Sequence, residues 1–511
     1  MNAGLHAHPE ARRARRRPIS APGHATGDRR DIRRRRAGRS SSPLHRCISP
    51  RSWLPAVLAT LLAGCASVSF DEAVAPAREW AQRVDRAVPQ LALDDAQRQA
   101  QQARREQLLA APVDGQGAVE LALAASPAMQ ALLADAWHAQ AMAAQAGAAP
   151  NPFFAFERVR SGAEVEFTRM LGIGLADLLT LPWRRDAAAQ RVESLRLQLA
   201  RDVLAHTMAV RQQWVRAVAA QQVHVYQAQV HEAAEASAEL ARRMQAVGNF
   251  SRLQRAREQA FLAEATAQLA RATASAAAER EALVRALGVD EVDARRLRLP
   301  ERLPDLPAAA RSAADVSRQA MDSRLDLLLA RAQLAAASGE RPLALAAPWH
   351  VELAAVREQG GGERGRGFEI ELPLPVFDAG TARRQAATAQ ALAAQARFEQ
   401  ARAEATSLLR ERYVAYRTAY DMARHYRDEV VPLARTITDE MLLKYNGMLV
   451  GVFELLADAR TQVHAVIAAI EAQRDFEMAR IALDAALVGA PTAAVTLSAP
   501  MPSRATAGES H

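Results

Sequence analysis

Residues 368–380 read Phe368-Glu369-Ile370-Glu371-Leu372-Pro373-Leu374-Pro375-Val376-Phe377-Asp378-Ala379-Gly380. Apolar and acidic side chains alternate strictly over the first five positions, the period of a strand with one apolar and one charged face. Two prolines then end the pairing, and Asp378-Ala379-Gly380 hands the chain to a long Ala-, Arg- and Gln-rich segment of helical character. Upstream, Trp349, Val351 and Leu353 alternate with His350, Glu352 and Ala354, and Gly360-Gly361-Gly362-Glu363-Arg364-Gly365 turns the chain between the two stretches. The arrangement occurs once before. Phe153–Arg160 and Ala163–Leu171 flank Ser161-Gly162, and Val165 and Phe167 alternate with Glu164, Glu166 and Thr168. Two hairpins are therefore predicted, with strands at about 153–171 and about 349–374.

Such strands suit a half-buried sheet, or a barrel with lipid outside and water inside. In the barrel, Val165, Phe167, Ile370 and Leu372 face lipid, while Glu164, Glu166, Glu352, Glu369 and Glu371 face the lumen. Strands of about eight to ten residues approach the span of a bilayer, yet four strands cannot close a barrel, the smallest of which have eight. Three copies would supply twelve.

Between the hairpins the helices are too long for an ordinary globular core. Residues 184–247 form one unbroken helical pattern, roughly 95 Å at 1.5 Å per residue. Val192, Leu195, Leu199, Val203, Val210, Trp214, Val218 and Val225 recur along it at spacings of 3, 4 and 7, a coiled-coil seam. Further helices are predicted over about 71–110, 118–148 and 308–337, with Pro182-Trp183 closing the first strand pair. Breakers recur at a near-constant interval: Pro150 and Pro348, Pro182 and Pro375, Gly248 and Gly447, Gly288 and Gly489. An interval of about 200 residues is a duplication, far longer than a solenoid repeat.

The 511 residues carry 65 Lys and Arg against 57 Asp and Glu, a formal charge of +8. Residues 1–50 hold thirteen arginines against Glu10, Asp28 and Asp31, so the excess belongs to this head and the body is close to neutral. An Arg-, Pro- and Ser-rich head cannot bury enough apolar surface to fold. Read as a binding tail it would neutralise nucleic-acid phosphates; read as a leader it is removed. The next segment favours a leader. Trp53 to Ala63 is a short apolar run behind Arg46 and Arg51, ending in Leu61-Leu62-Ala63-Gly64-Cys65, a secretory h-region too short to span permanently. Its last four residues resemble the bacterial lipobox, which implies acylation of Cys65; Ala66 in place of Asp implies the outer membrane. Sixty-four residues ahead of that cysteine exceed an ordinary signal, which points to a misassigned start, Leu44 being one alternative. With only Cys47 and Cys65 in the chain, a disulfide framework or a Cys-rich metal site is excluded.

A lipobox, two equivalent halves each carrying a hairpin between long helices, and a helix break in each half resemble the TolC-type outer-membrane efflux channels, the outer membrane factor lipoproteins. The motifs carrying the resemblance are Pro150-Asn151-Pro152, the exit Leu372–Gly380 and the breaks near Gly248 and Gly447; it spans about residues 71–490. It implies a mainly helical fold with a small membrane β part: duplicated coiled-coil hairpins and four strands per protomer. Three protomers form a twelve-stranded barrel continued by an α-helical periplasmic tunnel. It also implies a homotrimer working with a periplasmic adaptor and an inner-membrane pump, held in outer-membrane lipid, with no nucleic acid and no cofactor. Residues 1–64 are then head and signal, 65–115 a lipid-anchored arm, 116–300 and 301–490 the two repeats, and 491–511 a disordered tail. By the same resemblance Gly248, Asn249, Phe250, Ser251, Asn446, Gly447, Met448 and Leu449 form adaptor-docking tips, with glycine supplying the freedom for helix reversal. Glu454 and Asp458, at i and i+4, become acids of a gate. The sparse aromatics near the strands depart from better-known members.

No enzyme is legible. His231-Glu232 opens like a zinc-protease helix, but Glu235 stands where the second histidine belongs. Gly360–Gly367 lacks the Lys-Ser/Thr of a phosphate loop. The alternative reading is a periplasmic adaptor-type or purely structural lipoprotein coiled coil. An adaptor should carry a compact lipoyl-like β-domain rather than two equivalent amphipathic hairpins.

Overall fold

The computed structural model describes residues 68–85, 87–316 and 324–492. The arginine-rich head, the apolar run, Cys65 and the tail from residue 493 lie outside the described residues. An arm of α1 (Phe70–Asp85) and α2 (Asp95–Leu109) precedes α3 (Gly115–Ala125), α4 (Pro127–Ala146) and the hairpin β1 (Phe153–Ser161) and β2 (Glu164–Gly174). The chain returns along α5 (Leu175–Ala246), reverses into α6 (Arg252–Leu287) and passes a short α7 (Glu291–Arg296). The second half repeats this order with α8 (Leu325–Ala346), β3 (Glu352–Gly360) and β4 (Glu363–Glu371). It continues through α9 (Thr381–His425), a π-turn (Tyr426–Val430), α10 (Val431–Asn446) and α11 (Val452–Val488). The fold is mainly helical with one small antiparallel sheet, as the alternation and the long helical periods require.

The two hairpins join into one sheet of order β1-β2-β3-β4. Ile173 lies opposite Leu353 and Phe167 opposite Gln359 across the central β2–β3 pair. Both hairpin turns are tight. Gly162, at φ 65°, makes the first; the second uses only Gly361 and Gly362, at φ 59° and 83°, so the expected six-residue turn is mostly strand.

Several boundaries differ from the sequence reading. Pro182 lies inside α5, which starts at Leu175 and runs 72 residues, roughly 110 Å. The alternation stops at Ile173, and Leu175-Ala176-Asp177-Leu178-Leu179 favours helix strongly enough to outweigh the one hydrogen bond that Pro182 removes. The Val351 carbonyl accepts from the Leu175 amide at 2.7 Å and fixes that strand-to-helix handover. Likewise α8 continues through Pro342 to Ala346. Conversely, the single helix expected over 118–148 is two, bent by 52° at Ser126. Pro127 pushes Ser126 out of the helical region, to ψ 126°. The arm is likewise two helices, and the described residues between them, 87–94, are non-helical and hold Pro89. In the second half, Pro432 cannot donate the amide hydrogen bond its position calls for, and the turn just before it widens into the π-turn.

The core sits against the middle of α5. Leu199, Val203, Met208, Trp214 and Val218 are buried with Leu121, Met129 and Leu133 from α3 and α4 and with Leu283 and Leu287 from α6. Trp214 Nε1 donates to the Val113 carbonyl at 2.9 Å, so its polar edge is satisfied. A second cluster stacks Tyr416 and Tyr420 of α9 on Phe476 of α11. The expected seam is thus buried only in part: Leu195 is half-buried and Val225 is 50% exposed, because α5 outruns the helices that cover its centre.

Candidate functional site

Register sorts the sheet's charges by face, because directly opposed residues in an antiparallel pair share a side. One side carries Glu157, Glu164 and Glu166 from the first hairpin, and Glu352, Glu358, Glu363, Glu369 and Glu371 from the second. Glu164, Glu166, Glu369 and Glu371 were legible from alternation; Glu157, Glu358 and Glu363 follow only once register is known. Their neighbours on that side are mostly small. Ala354 and Gly360 lie among them, and a Cβ on Gly360 would stand 2.5 Å from Glu166 Cγ. Glu352 and Glu371 are directly opposed, a like-charged pair whose repulsion weakens the sheet unless water or a cation screens it.

The opposite side carries Phe154, Phe156, Val165, Phe167, Leu171, Ile173, Leu353, Phe368 and Ile370. Phe156 and Phe167 meet with centroids 6.0 Å apart, and Phe154, Leu171, Phe368 and Ile370 are all more than half exposed. The apolar surface continues past β4 through Leu372, Leu374, Val376 and Phe377, all exposed. No single described helix is long and apolar enough to cross a membrane. The sheet also leaves β1 and β4 as open edges, each with a row of unpaired backbone groups.

At the far end of the helices, the two reversals are superimposable in pattern. Gly248 donates its amide to Gln245 and Asn249 donates to Met244, at 3.0 and 2.9 Å; Met448 donates to Tyr445 and Leu449 to Lys444, both at 2.9 Å. The equivalent of Gly248, at φ 80°, is therefore Met448, at φ 58°, and not Gly447. Gly447 sits at φ −79°, which any residue adopts, so the expectation that its freedom makes the second reversal is corrected. Met448 is the one non-glycine at positive φ among the described residues. Ser251 caps α6 in a capping box with Gln254. Val247, Met448 and Leu449 project apolar surface at 70%, 94% and 78% exposure. Beside the first tip, hydrogen bonds from Arg242 and Arg243 pull the Glu239 carboxyl down to about 2.

Glu454 is exposed in the first turn of α11, and Asp458 is half-buried one turn on. Two residues further stands a contact the sequence did not reveal. Arg460 Nη2 donates to both oxygens of Glu258, at 3.1 and 3.2 Å, and Ser237 Oγ donates to the same carboxylate at 2.7 Å. The guanidinium lies 4.1 Å from the Phe261 ring centroid, and the Glu258 side chain is 2% exposed. This knot ties α11 to the α5–α6 hairpin across about 200 residues of sequence, a separation at which no local pattern could announce it. His231, singled out for its zinc-like start, meets Thr266 Oγ1 at 3.2 Å, and no metal-holding cluster exists among the described residues.

A duplicated hairpin sheet joined to helices of this length is the fold of solved outer-membrane channel proteins. The chain is similar to a Pseudomonas aeruginosa membrane protein, with 20% identity and a TM-score of 0.62 over 74% of this chain and 90% of the other. It is similar to the outer-membrane protein VceC of Vibrio cholerae at 16% identity and a TM-score of 0.62, over 74% and 96%. It is also similar to the open state of the MtrE outer-membrane channel of Neisseria gonorrhoeae, at 18% and 0.58, over 73% and 89%. No protein-family model and no curated protein sequence matches the chain.

Proposed function

We propose that this protein is the outer-membrane exit duct of a tripartite efflux pump, a passive channel for small molecules or ions leaving the periplasm. The observation that carries the reading is the four-stranded sheet with two open edges, one face bearing every strand glutamate and the other bearing phenylalanines on either side of a row of arginines. Its strands of nine and eleven residues, with the exposed Leu372, Leu374, Val376 and Phe377 prolonging the apolar surface beyond β4, supply the length of a tilted bilayer crossing. Unpaired edges are intolerable in lipid, and three copies joined β4 to β1 close a twelve-stranded barrel. The glutamates then line the water and the phenylalanines meet lipid. A lumen carrying that many carboxylates per protomer favours cations. Long helices continue the barrel as a periplasmic tunnel, with the reversals at Gly248 and Met448 at its distal end. There Val247, Phe250, Met448 and Leu449 offer an apolar seat to the helical tip of an adaptor bound to an inner-membrane pump. Acylation at Cys65 adds a lipid anchor, and Glu454 and Asp458 form an acidic ring at the constriction. The test is conductance of the purified protein in planar bilayers, with reversal potentials under a KCl gradient. Cation-selective steps are expected, and Glu369→Gln/Glu371→Gln should shift the reversal potential toward zero. Absence of any conductance from a protein that inserts would reject the duct.

A further inference from the structure

The face opposite the glutamates is not uniformly apolar. It also carries Arg158 and Arg160 on β1, Arg169 on β2, Arg357 on β3, and Arg364 and Arg366 on β4. Their positions are not scattered. Arg169 is directly opposite Arg357, and Arg357 directly opposite Arg366, so three guanidinium groups stand in one row across three strands. The next row toward the turns holds Arg158 and Arg364, separated by Phe167 and Gln359, and Arg160 stands one row beyond. Below the triple row, away from the turns, the same face is Phe154, Leu171, Ala355 and Phe368, then Ile173, Leu353 and Ile370. The arginines thus form a belt between the hairpin turns and an apolar band.

This belt has no counter-charge. All six side chains are exposed, and none forms an ion pair among the described residues. Every glutamate on the strands is held on the other face by the same register. Arg158 lies over the Phe167 ring at 5.9 Å, which neutralises nothing. Like charges directly opposed across strands destabilise a sheet, and side chains so placed stand about 5 Å apart. Because Lys444 is the chain's one lysine, the choice of arginine over lysine is uninformative; the placement is the signal. An anion with several oxygens resting on this row would remove the repulsion and accept paired donors from planar guanidinium groups.

We propose that the arginine belt binds the phosphate groups of phosphorylated lipid in the outer leaflet. The inference rests on the barrel reading above, which puts this face in the membrane and the hairpin turns outside. In that setting an acyl chain of the lipid lies along Phe154, Leu171 and Phe368 while its headgroup phosphate meets Arg169, Arg357 and Arg366. A soluble anion would gain only the second contact, so lipid is the favoured occupant. In the closed trimer the belt becomes continuous, since β4 of one protomer adjoins β1 of the next and brings Arg366 and Arg364 toward Arg158 and Arg160.

The experiment is native mass spectrometry of the full-length protein in detergent, titrated with diphosphorylated lipid A, with its dephosphorylated form, or with inorganic phosphate. The unaltered protein is expected to retain diphosphorylated lipid at least tenfold more tightly than the dephosphorylated form, and to show no adduct with inorganic phosphate alone. Arg169→Gln/Arg357→Gln/Arg366→Gln should lose that preference, whereas Arg255→Gln, beside the helical tip, should keep it. Equal retention of the two lipids by the unaltered protein, or an undiminished preference in the triple variant, would overturn the proposal. So would inorganic phosphate displacing the lipid at equal concentration. The same spectra report the oligomer, so absence of a trimer counts against the barrel, while a lipid-indifferent trimer counts against the belt alone. Should the triple variant fail to assemble, Arg357→Gln alone, at the centre of the row, carries the comparison.

Discussion

Replacing Arg460 by alanine removes the cation that holds α11 against the first helical hairpin. Glu258 keeps only the Ser237 hydroxyl as donor, inside a site where its side chain is 2% exposed. Breaking a dry buried pair from one side costs about 3–5 kcal/mol. Arg460 itself is 32% exposed, so water reaches the vacated place and the cost falls to about 2–3 kcal/mol. Loss of the guanidinium over Phe261 adds about 0.5–1 kcal/mol. The opening equilibrium of the tip should therefore rise by roughly two orders of magnitude, at about 1.4 kcal/mol per decade. Hydrogen exchange of the intact protein reads this directly, in peptides covering residues 252–270 and 452–470. Those amides should exchange faster in Arg460→Ala, while the mid-helix core around Val203, Met208 and Leu283 stays protected. Arg460→Met/Glu258→Leu, which replaces the pair by apolar volume, should recover most of the loss. Native-like exchange in Arg460→Ala would refute the reasoning, since it would mean that Glu258 never depended on its partner.

Three further outcomes are expected. Gly248→Ala should cost about 1–2 kcal/mol in tip stability, because L-residues resist its φ of 80°, whereas Gly447→Ala should be nearly neutral and Met448→Gly should relieve strain; exchange rates at the two reversals check all three. Ile370→Arg should impair trimer assembly by about 2–4 kcal/mol if it lies at the bilayer midplane, with little effect from Glu369→Arg, and equal yields from the two would shift the register by one residue. Burial depresses the His206 pKa below its ordinary 6.5, so the unfolded chain takes up a proton that the folded state resists. Stability should then hold above about pH 6.5 and fall as pH drops below it, by up to about 1.4 kcal/mol per unit. Urea midpoints at pH 7.5 and 5.5 test this, and His206→Gln should flatten the difference.

Much of the architecture was legible because its signals are local. Alternation marked both hairpins, and a run of helix formers without breakers marked α5. The duplication showed in the spacing of prolines and glycines. What escaped the sequence depended on competition or on distance. Pro182 and Pro342 looked like boundaries, but each sits in a helix whose other residues outweigh one lost hydrogen bond. Ser126-Pro127 looked continuous, yet the steric demand on the residue before proline bends the path. At the tips, matching glycine to glycine set the two halves one residue out of step, because Met448 takes the left-handed position that Gly248 fills in the first half. Face assignments for Glu164, Glu166, Glu369 and Glu371 came from periodicity alone. The triple row of Arg169, Arg357 and Arg366 needed the β2–β3 pairing, which joins segments about 190 residues apart.

The central claim is that three copies of this sheet close into one transmembrane barrel. A cryo-electron microscopy reconstruction of the full-length protein extracted from membranes tests it most directly. The account expects threefold symmetry, twelve strands in the order β1-β2-β3-β4 repeated, β4 of one protomer paired with β1 of the next, and glutamates lining the lumen. A particle in which β1 and β4 remain unpaired, or in which the phenylalanine face points into the lumen, would contradict it.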